Sequence, residues 1–378
     1  MPADRDPWLL TPGPLTTSDT VKRAMLHDWG SRDRRFIEMN AAIRRRLVEL
    51  AGAAATHVAV PVQGSGTFAV EAMIGTLVPR DGKLLILVNG AYGKRMARIC
   101  DYYGRAYATY ETAEDVPPDP AEVRRRLNSD QDITHVAAVH CETTSGILNP
   151  ISEIAAVVAE AGRSLLVDAM SAFGALPVDA QSVPFDALAA SSNKCLEGVP
   201  GMGFVLIRRS VLEKAAGNAP SLSLDLHDQW KGLEGNGQWR FTPPTHVIAA
   251  FHQALEEHAA EGGVEGRGRR YRENCRILVE GMRALGFETL LPDALQAPII
   301  VTFRMPADPR FKFQEFYDRL SAKGYIIYPG KLTVADSFRI GCIGRLGAVE
   351  MRGALEAIRA TLRELGVESG APARAAAE

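Results

Sequence analysis

Between residues 57 and about 209, short apolar, β-branched runs alternate with segments whose apolar residues recur at helical spacing. The runs are HVAVPVQ, KLLILVNG, RAYATYE, HVAAVHCE, SLLVDAM, DALAASS and MGFVLIRR, and each predicts a strand. Several are apolar on both faces, as a sheet covered by helices on both sides requires. The intervening GTFAVEAMIGTLV and PISEIAAVVAEAG read as helices that stop at Gly or Pro. Alternation of this kind predicts an α/β fold with a mainly parallel seven-stranded sheet. The short turn between the last two runs predicts an antiparallel pair there.

Beyond this region the pattern loosens. The stretch SLSLDLHDQWKGLEGNGQWRFTPPTH reads as a long irregular loop, a length that in a compact protein is functional or reaches a partner. From about residue 245, two long amphipathic helices lead to APIIVTFRM, a helix around FKFQEFYDRLSAKG, then YIIYPG, SFRIGCIG and a helix from Ala348 to Leu365. The expected organisation is a large domain over 1–245, with an N-terminal arm over 1–20, and a smaller C-terminal α/β domain over 246–366. The small, polar residues 367–378 are expected to be a disordered tail.

Composition narrows the function classes. The 378 residues are 46% hydrophobic and 23% charged with a net charge of −2, the balance of a soluble globular protein. Nothing in that charge favours nucleic acid or an anionic membrane as partner. Five cysteines lack CxxC or metal-like spacing, so free buried thiols in a reducing cytoplasm are expected, and no metal site. The N-terminal MPADRDPWLL has neither a basic region nor a long apolar stretch, and no window reads as membrane-spanning.

Candidate chemistry gathers where predicted strands end, the edge at which open α/β sheets bind ligands. In SSNKCLEGVPGMGFVLI, Lys194 stands where a turn between strands normally carries Gly, Asn or Asp. A solvated loop lysine is one explanation; a lysine held deprotonated in a pocket, able to form an imine, is the other. QGSGTFAVEA puts Ser65, Gly66 and Thr67 at a helix start, where free N–H groups suit a phosphate. Tyr92 in NGAYGKRM stacks on a flat ligand or simply packs. Asp168 in LLVDAMSAFG is a turn cap or a buried carboxylate needing a partner, and HCETTSG offers Thr143 or just a polar turn. One small molecule uses all of these together. Pyridoxal phosphate places its phosphate at Gly66–Thr67, its ring on Tyr92, its ring nitrogen at Asp168 and its aldehyde at Lys194.

The order and spacing of LLTPGPLTTSDTVKRAML, QGSGTFAVEAMIGTLV, LVNGAYGKRM, VDAMSAFGALP, ASSNKCLEGVPGMGFV, RFTPPTHV and FRIGCIG resemble the class V branch of the fold-type I pyridoxal-phosphate-dependent aminotransferases. The resemblance runs from Leu9 to about Gly344. It implies that Lys194 carries the Schiff base and shuttles protons, and that Asp168 keeps the pyridine nitrogen protonated. It also implies phosphate contacts from Ser65, Gly66, Thr67 and Asn193, ring contacts from Tyr92 and Thr143, and a further phosphate contact from Thr242 of a neighbouring subunit. A homodimer with shared active sites follows. Arg339 is implied to grip the substrate anion, helped by N–H groups of Thr11 and Gly13 in the arm. The implied substrates are 2-aminoethylphosphonate and pyruvate, and the implied products phosphonoacetaldehyde and L-alanine. Arg32, with Arg34 and Arg35, departs from the pattern of some relatives; it adds positive potential at the substrate mouth or belongs to a solvated run. An alanine– or serine–glyoxylate aminotransferase shares the fold and cofactor. A nicotinamide-dependent dehydrogenase is disfavoured because QGSGTFAVEA lacks GxGxxG.

Overall fold

The computed structural model describes residues 6–332 and 335–373. All seven predicted strands form and lie in one sheet, in the order His57–Gln63, Met202–Arg208, Ala187–Ser191, Ser164–Asp168, Ile133–Val139, Lys83–Val88, Ala106–Glu111. Met202–Arg208 is antiparallel to both neighbours, and the remaining pairs are parallel. Central strands are buried along nearly their whole length because apolar cores cover both faces. One core takes Ala69, Met73 and Ile74 from the helix Gly66–Leu77 and Met96 from Ala91–Tyr103. The other takes Phe36 and Leu47 from Arg34–Leu50, and Ile154 and Val158 from Ile151–Glu160.

A second sheet has three antiparallel strands, Ile300–Arg304, Ser337–Gly341 and Tyr328–Pro329. Its core is a cluster of phenylalanines in which Phe287, Phe303, Phe311 and Phe316 all meet Phe338 or one another. The expected boundary at residue 245 falls too early. Ile248, Phe251 and Leu255 of the helix Thr245–Ala260 pack into the large sheet's core, because the buried side of that helix is apolar apart from His258. The changeover falls within the helix Gly263–Ala284, where Tyr271 joins the first core and Leu278 and Met282 the second.

Two other expectations are corrected. Within the stretch read as a loop, Leu226–Asn236 is a helix. Asp225 caps it by accepting from the Asp228 N–H at 3.0 Å, and Gly237 ends it in the left-handed conformation. Leu226, Trp230 and Leu233, at helical spacing, are its buried face. The tail is ordered as far as residue 373: Val367 is buried, the Gly370 N–H donates to the Leu285 carbonyl, and the Ala307 N–H donates to that of Ala371. Residues 374–378, and 1–5 of the expected arm, lie outside the described residues.

Candidate active site

Five strand ends converge at the carboxyl edge of the large sheet around a cavity of about 240 Å³. Gly13, Ser65, Gly66, Thr67, Tyr92, Asp168, Asn193 and Lys194 all line it. Lys194 follows the strand Ala187–Ser191 in a turn closed by the Glu197 N–H on the Lys194 carbonyl and the Gly198 N–H on that of Ser192, each at 2.8 Å. The Lys194 Nζ donates to the Pro12 carbonyl at 2.9 Å, so the arm comes down directly onto the lysine. Burial lowers the Lys194 ammonium to about 8, opposed by nearby Cys195 and Asp168 and reinforced by the positive charges of Arg339 and Arg95.

That shift has a measurable consequence. An amine with a pKa of about 8 is roughly a tenth neutral at pH 7, against less than about a thousandth for an ordinary lysine. Capture of pyridoxal phosphate by cofactor-free protein, followed by absorbance, is expected to quicken with pH and level off just above 8. A rate still climbing tenfold per pH unit at pH 9.5 would mean that the amine is unperturbed.

Asp168 ends the strand Ser164–Asp168 and is buried. Its Oδ1 accepts from the Met170 N–H at 2.9 Å. Burial pushes the carboxyl up to about 6, with the Met170 hydrogen bond, Arg95 and Lys194 pulling the other way. Opposite, the strand His57–Gln63 turns at Gly64, at φ 122°, into the helix Gly66–Leu77. No side chain caps that helix, so its first N–H groups and the positive end of its dipole are available to an anion. A Cβ at position 66 would stand 2.4 Å from the Met170 sulfur, so a larger residue there would displace the Met170 side chain.

Arg339 is buried in the strand Ser337–Gly341. Its Nη1 donates to the Thr143 carbonyl at 2.8 Å and its Nε to that of Pro329 at 3.1 Å. The Thr143 hydroxyl itself is buried without a partner among the described residues. Thr11 and Gly13 are fitted between the two halves of the site. A Cβ on Gly341 would lie 2.4 Å from the Thr11 carbonyl oxygen, and one on Gly13 (φ 119°) would lie 2.6 Å from the Lys194 Nζ.

Five expected residues do not line this cavity: Thr11, Thr143 and Arg339, all buried, and Thr242 and Arg32. Thr242 and Arg32 are both exposed. Arg34 and Arg35 form exposed ion pairs with Glu38 and Asp33 at the start of their helix. Conversely, Arg95 and Ser191 line the cavity unanticipated. Arg95 donates to the Thr67 hydroxyl at 3.0 Å and its guanidinium stands 4.9 Å from the centre of the Tyr92 ring. Its position three residues after Tyr92, on the same face of a helix aimed at the strand edge, was the available signal. Ser191 is one of the buried hydroxyls without a partner among the described residues.

These groups suit pyridoxal phosphate: an uncapped helix start for its phosphate, a buried carboxylate for its ring nitrogen, unpartnered hydroxyls beside them and an amine of lowered basicity. Cofactor and sheet together define a fold-type I pyridoxal-phosphate enzyme. Residues 19–328 match the family Aminotransferase class-V, and the chain belongs to that family. Among curated relatives it is similar to the 2-aminoethylphosphonate–pyruvate transaminases of Pseudomonas fluorescens (58% identical, over 96% of this chain and 98% of the relative) and Pseudomonas aeruginosa (58%, over 97% and 98%). Solved structures share the fold at lower identity. Ureidoglycine–glyoxylate aminotransferase of Bacillus subtilis superposes with a TM-score of 0.89 at 23% identity, over 97% of this chain and 95% of that one. Pyridoxamine–pyruvate aminotransferase of Mesorhizobium loti gives 0.87 at 24%, over 98% and 96%.

Proposed function

We propose that the chain transfers the amino group of 2-aminoethylphosphonate to pyruvate, yielding phosphonoacetaldehyde and L-alanine. The observation that carries this reading is 58% identity over 96% of the chain to a relative bearing that name. When bound, pyridoxal phosphate supplies an electron sink beside a breaking C–H bond.

The protein's part is positioning and proton handling. Ser65, Gly66, Thr67 and Asn193 would hold the phosphate. The Asp168 carboxylate would keep a proton on the ring nitrogen, Tyr92 would back the ring, and the Thr143 hydroxyl would serve the ring hydroxyl. Lys194 would hold the cofactor through its Nζ, and that Nζ, once free, would take the proton from the substrate's aminomethylene carbon and, with pyruvate, return one. Arg339, with the N–H groups of Thr11 and Gly13, receives the substrate anion, and Arg32 adds positive potential at the mouth. A coupled assay for alanine formed from 2-aminoethylphosphonate and pyruvate tests the reading. A panel of donors that favours alanine or serine with glyoxylate would replace it with the related aminotransferase activity.

Assembly as a homodimer with shared sites belongs to the same proposal. Thr242, exposed and outside the lining of the cavity, would contact the phosphate in a neighbouring subunit's site. An apolar groove of about 490 Å³ between Phe68, Trp239 and Phe241, with both phenylalanines exposed, supports a second copy packing there. Thr242→Ala is expected to loosen cofactor about tenfold, the loss of one charge-assisted hydrogen bond. Dilution to monomer should release cofactor and activity together. A fully active monomer by sedimentation would contradict the shared site. The buried free thiols of all five cysteines fit a reducing, cytoplasmic setting.

A further inference from the structure

Two cations stand against the Tyr92 ring. Besides Arg95 at 4.9 Å, the Lys331 Nζ stands 5.5 Å from the ring centre. Tyr92 lines the cavity and Lys331 does not, so Lys331 stands next to a lining residue, just beyond the lining itself. The lysine lies two residues beyond Pro329, whose carbonyl accepts from the Arg339 Nε at 3.1 Å. One short segment therefore carries both a holder of Arg339 and a second positive charge. Lys331 is exposed, and among the described residues it makes no ion pair. Partial burial and the positive charges of Arg95 and Arg339 lower its pKa, offset in part by Glu142. Three neighbouring cations, Arg95, Lys331 and Arg339, outnumber the nearby Glu142 and favour an anionic ligand.

The two substrates place their anions differently. Pyruvate carries its carboxylate directly on the reacting carbon, whereas 2-aminoethylphosphonate carries its phosphonate one carbon further out, with a third oxygen and more negative charge. Arg339 is fixed by two backbone carbonyls and suits the planar carboxylate. An ammonium on a flexible stem suits an additional oxygen further out. We propose that Lys331 is a specificity-determining residue, which joins Arg339 to seat the phosphonate and leaves the carboxylate to Arg339 alone.

This inference rests on the substrate reading above, and its test separates the two. In the holoenzyme, Lys331→Met is expected to raise the KM for 2-aminoethylphosphonate about tenfold, the loss of one partly exposed charge-assisted contact. Its kcat should hold within about threefold, as should the pyruvate half-reaction, since the lost contact lies away from the reacting carbon. Lys331→Arg should restore most of the loss, and Arg339→Ala should impair both half-reactions. Equal shifts for both substrates in Lys331→Met, or none, would overturn the proposal. Competition by ethylphosphonate against propionate, read as displacement of a bound anion, gives a result independent of turnover. If the wild type fails to use 2-aminoethylphosphonate yet Lys331→Met selectively loses ethylphosphonate binding, the seat stands and only the substrate reading falls. If the preference between the two anions is unchanged, the seat falls.

Discussion

Lys194→Ala is expected to lower amino transfer by at least about 10⁴-fold, because one substitution removes both the cofactor's attachment and the base that moves the proton. Lys194→Arg should be no better, since a guanidinium keeps its proton throughout the working pH range. The neighbouring chain should survive either change. Among the described residues the Lys194 side chain makes a single hydrogen bond, to the Pro12 carbonyl, and removing a partly buried cation relieves a desolvation cost. Folding measured by circular dichroism should therefore be near normal while single-turnover kinetics collapse. Borohydride reduction of the wild-type holoenzyme should fix the cofactor to the peptide containing Lys194. Label on another lysine, or residual turnover within tenfold of the wild type, would remove Lys194 from its assigned role.

Asp168→Asn is expected to separate activity from stability. Turnover should fall about 10³-fold, because a neutral amide no longer enforces a proton on the ring nitrogen. The cofactor-free protein should become more stable at pH 8. The folded carboxyl has a pKa of about 6 against an ordinary 3.8, so the folded state binds more protons than the unfolded one between these values. Stability contributed by this group is thus fully present below about pH 4 and lost as pH rises through 6, on the order of 3 kcal/mol in all. Asparagine has no such penalty. Thermal melts of the two cofactor-free proteins should nearly coincide at pH 4 and diverge at pH 8 with the variant higher. A variant that melts lower at pH 8, or keeps near-normal turnover, would mean that Asp168 is a turn cap for Met170.

Both predictions concern residues visible in the chain as read. Lys194, Asp168 and the Ser65–Thr67 turn sit directly after apolar runs whose strand character is local, so their placement at a strand's carboxyl end needs only the pattern on either side. Their companions were hidden for a physical reason. Arg95 and Ser191 resemble any helix arginine and any strand-end serine until the cavity closes over them. The helix Leu226–Asn236 was hidden differently: Gly232, Gly235 and Gly237 weigh against a helix locally. The Asp225 cap and burial of Leu226, Trp230 and Leu233 outweigh that cost. The docked tail shows the same competition, since small polar residues predict disorder until Val367 finds an apolar pocket.

What the sequence by itself determined is the set of elements and the chemistry at their ends: seven strands, helices between them, a phosphate turn, a carboxylate and a lysine. Each follows from side-chain periodicity or from one residue type at a turn, interactions that act over a few positions. Only the tertiary structure decided which groups face one another. It set the strand order, brought the Pro12 carbonyl to Lys194 across 182 residues and the Thr143 carbonyl to Arg339 across 196. Burial then shifted the titrations of Asp168 and Lys194 toward neutrality. Desolvation depends on everything packed around a group rather than on its neighbours along the chain, so no local pattern encodes it.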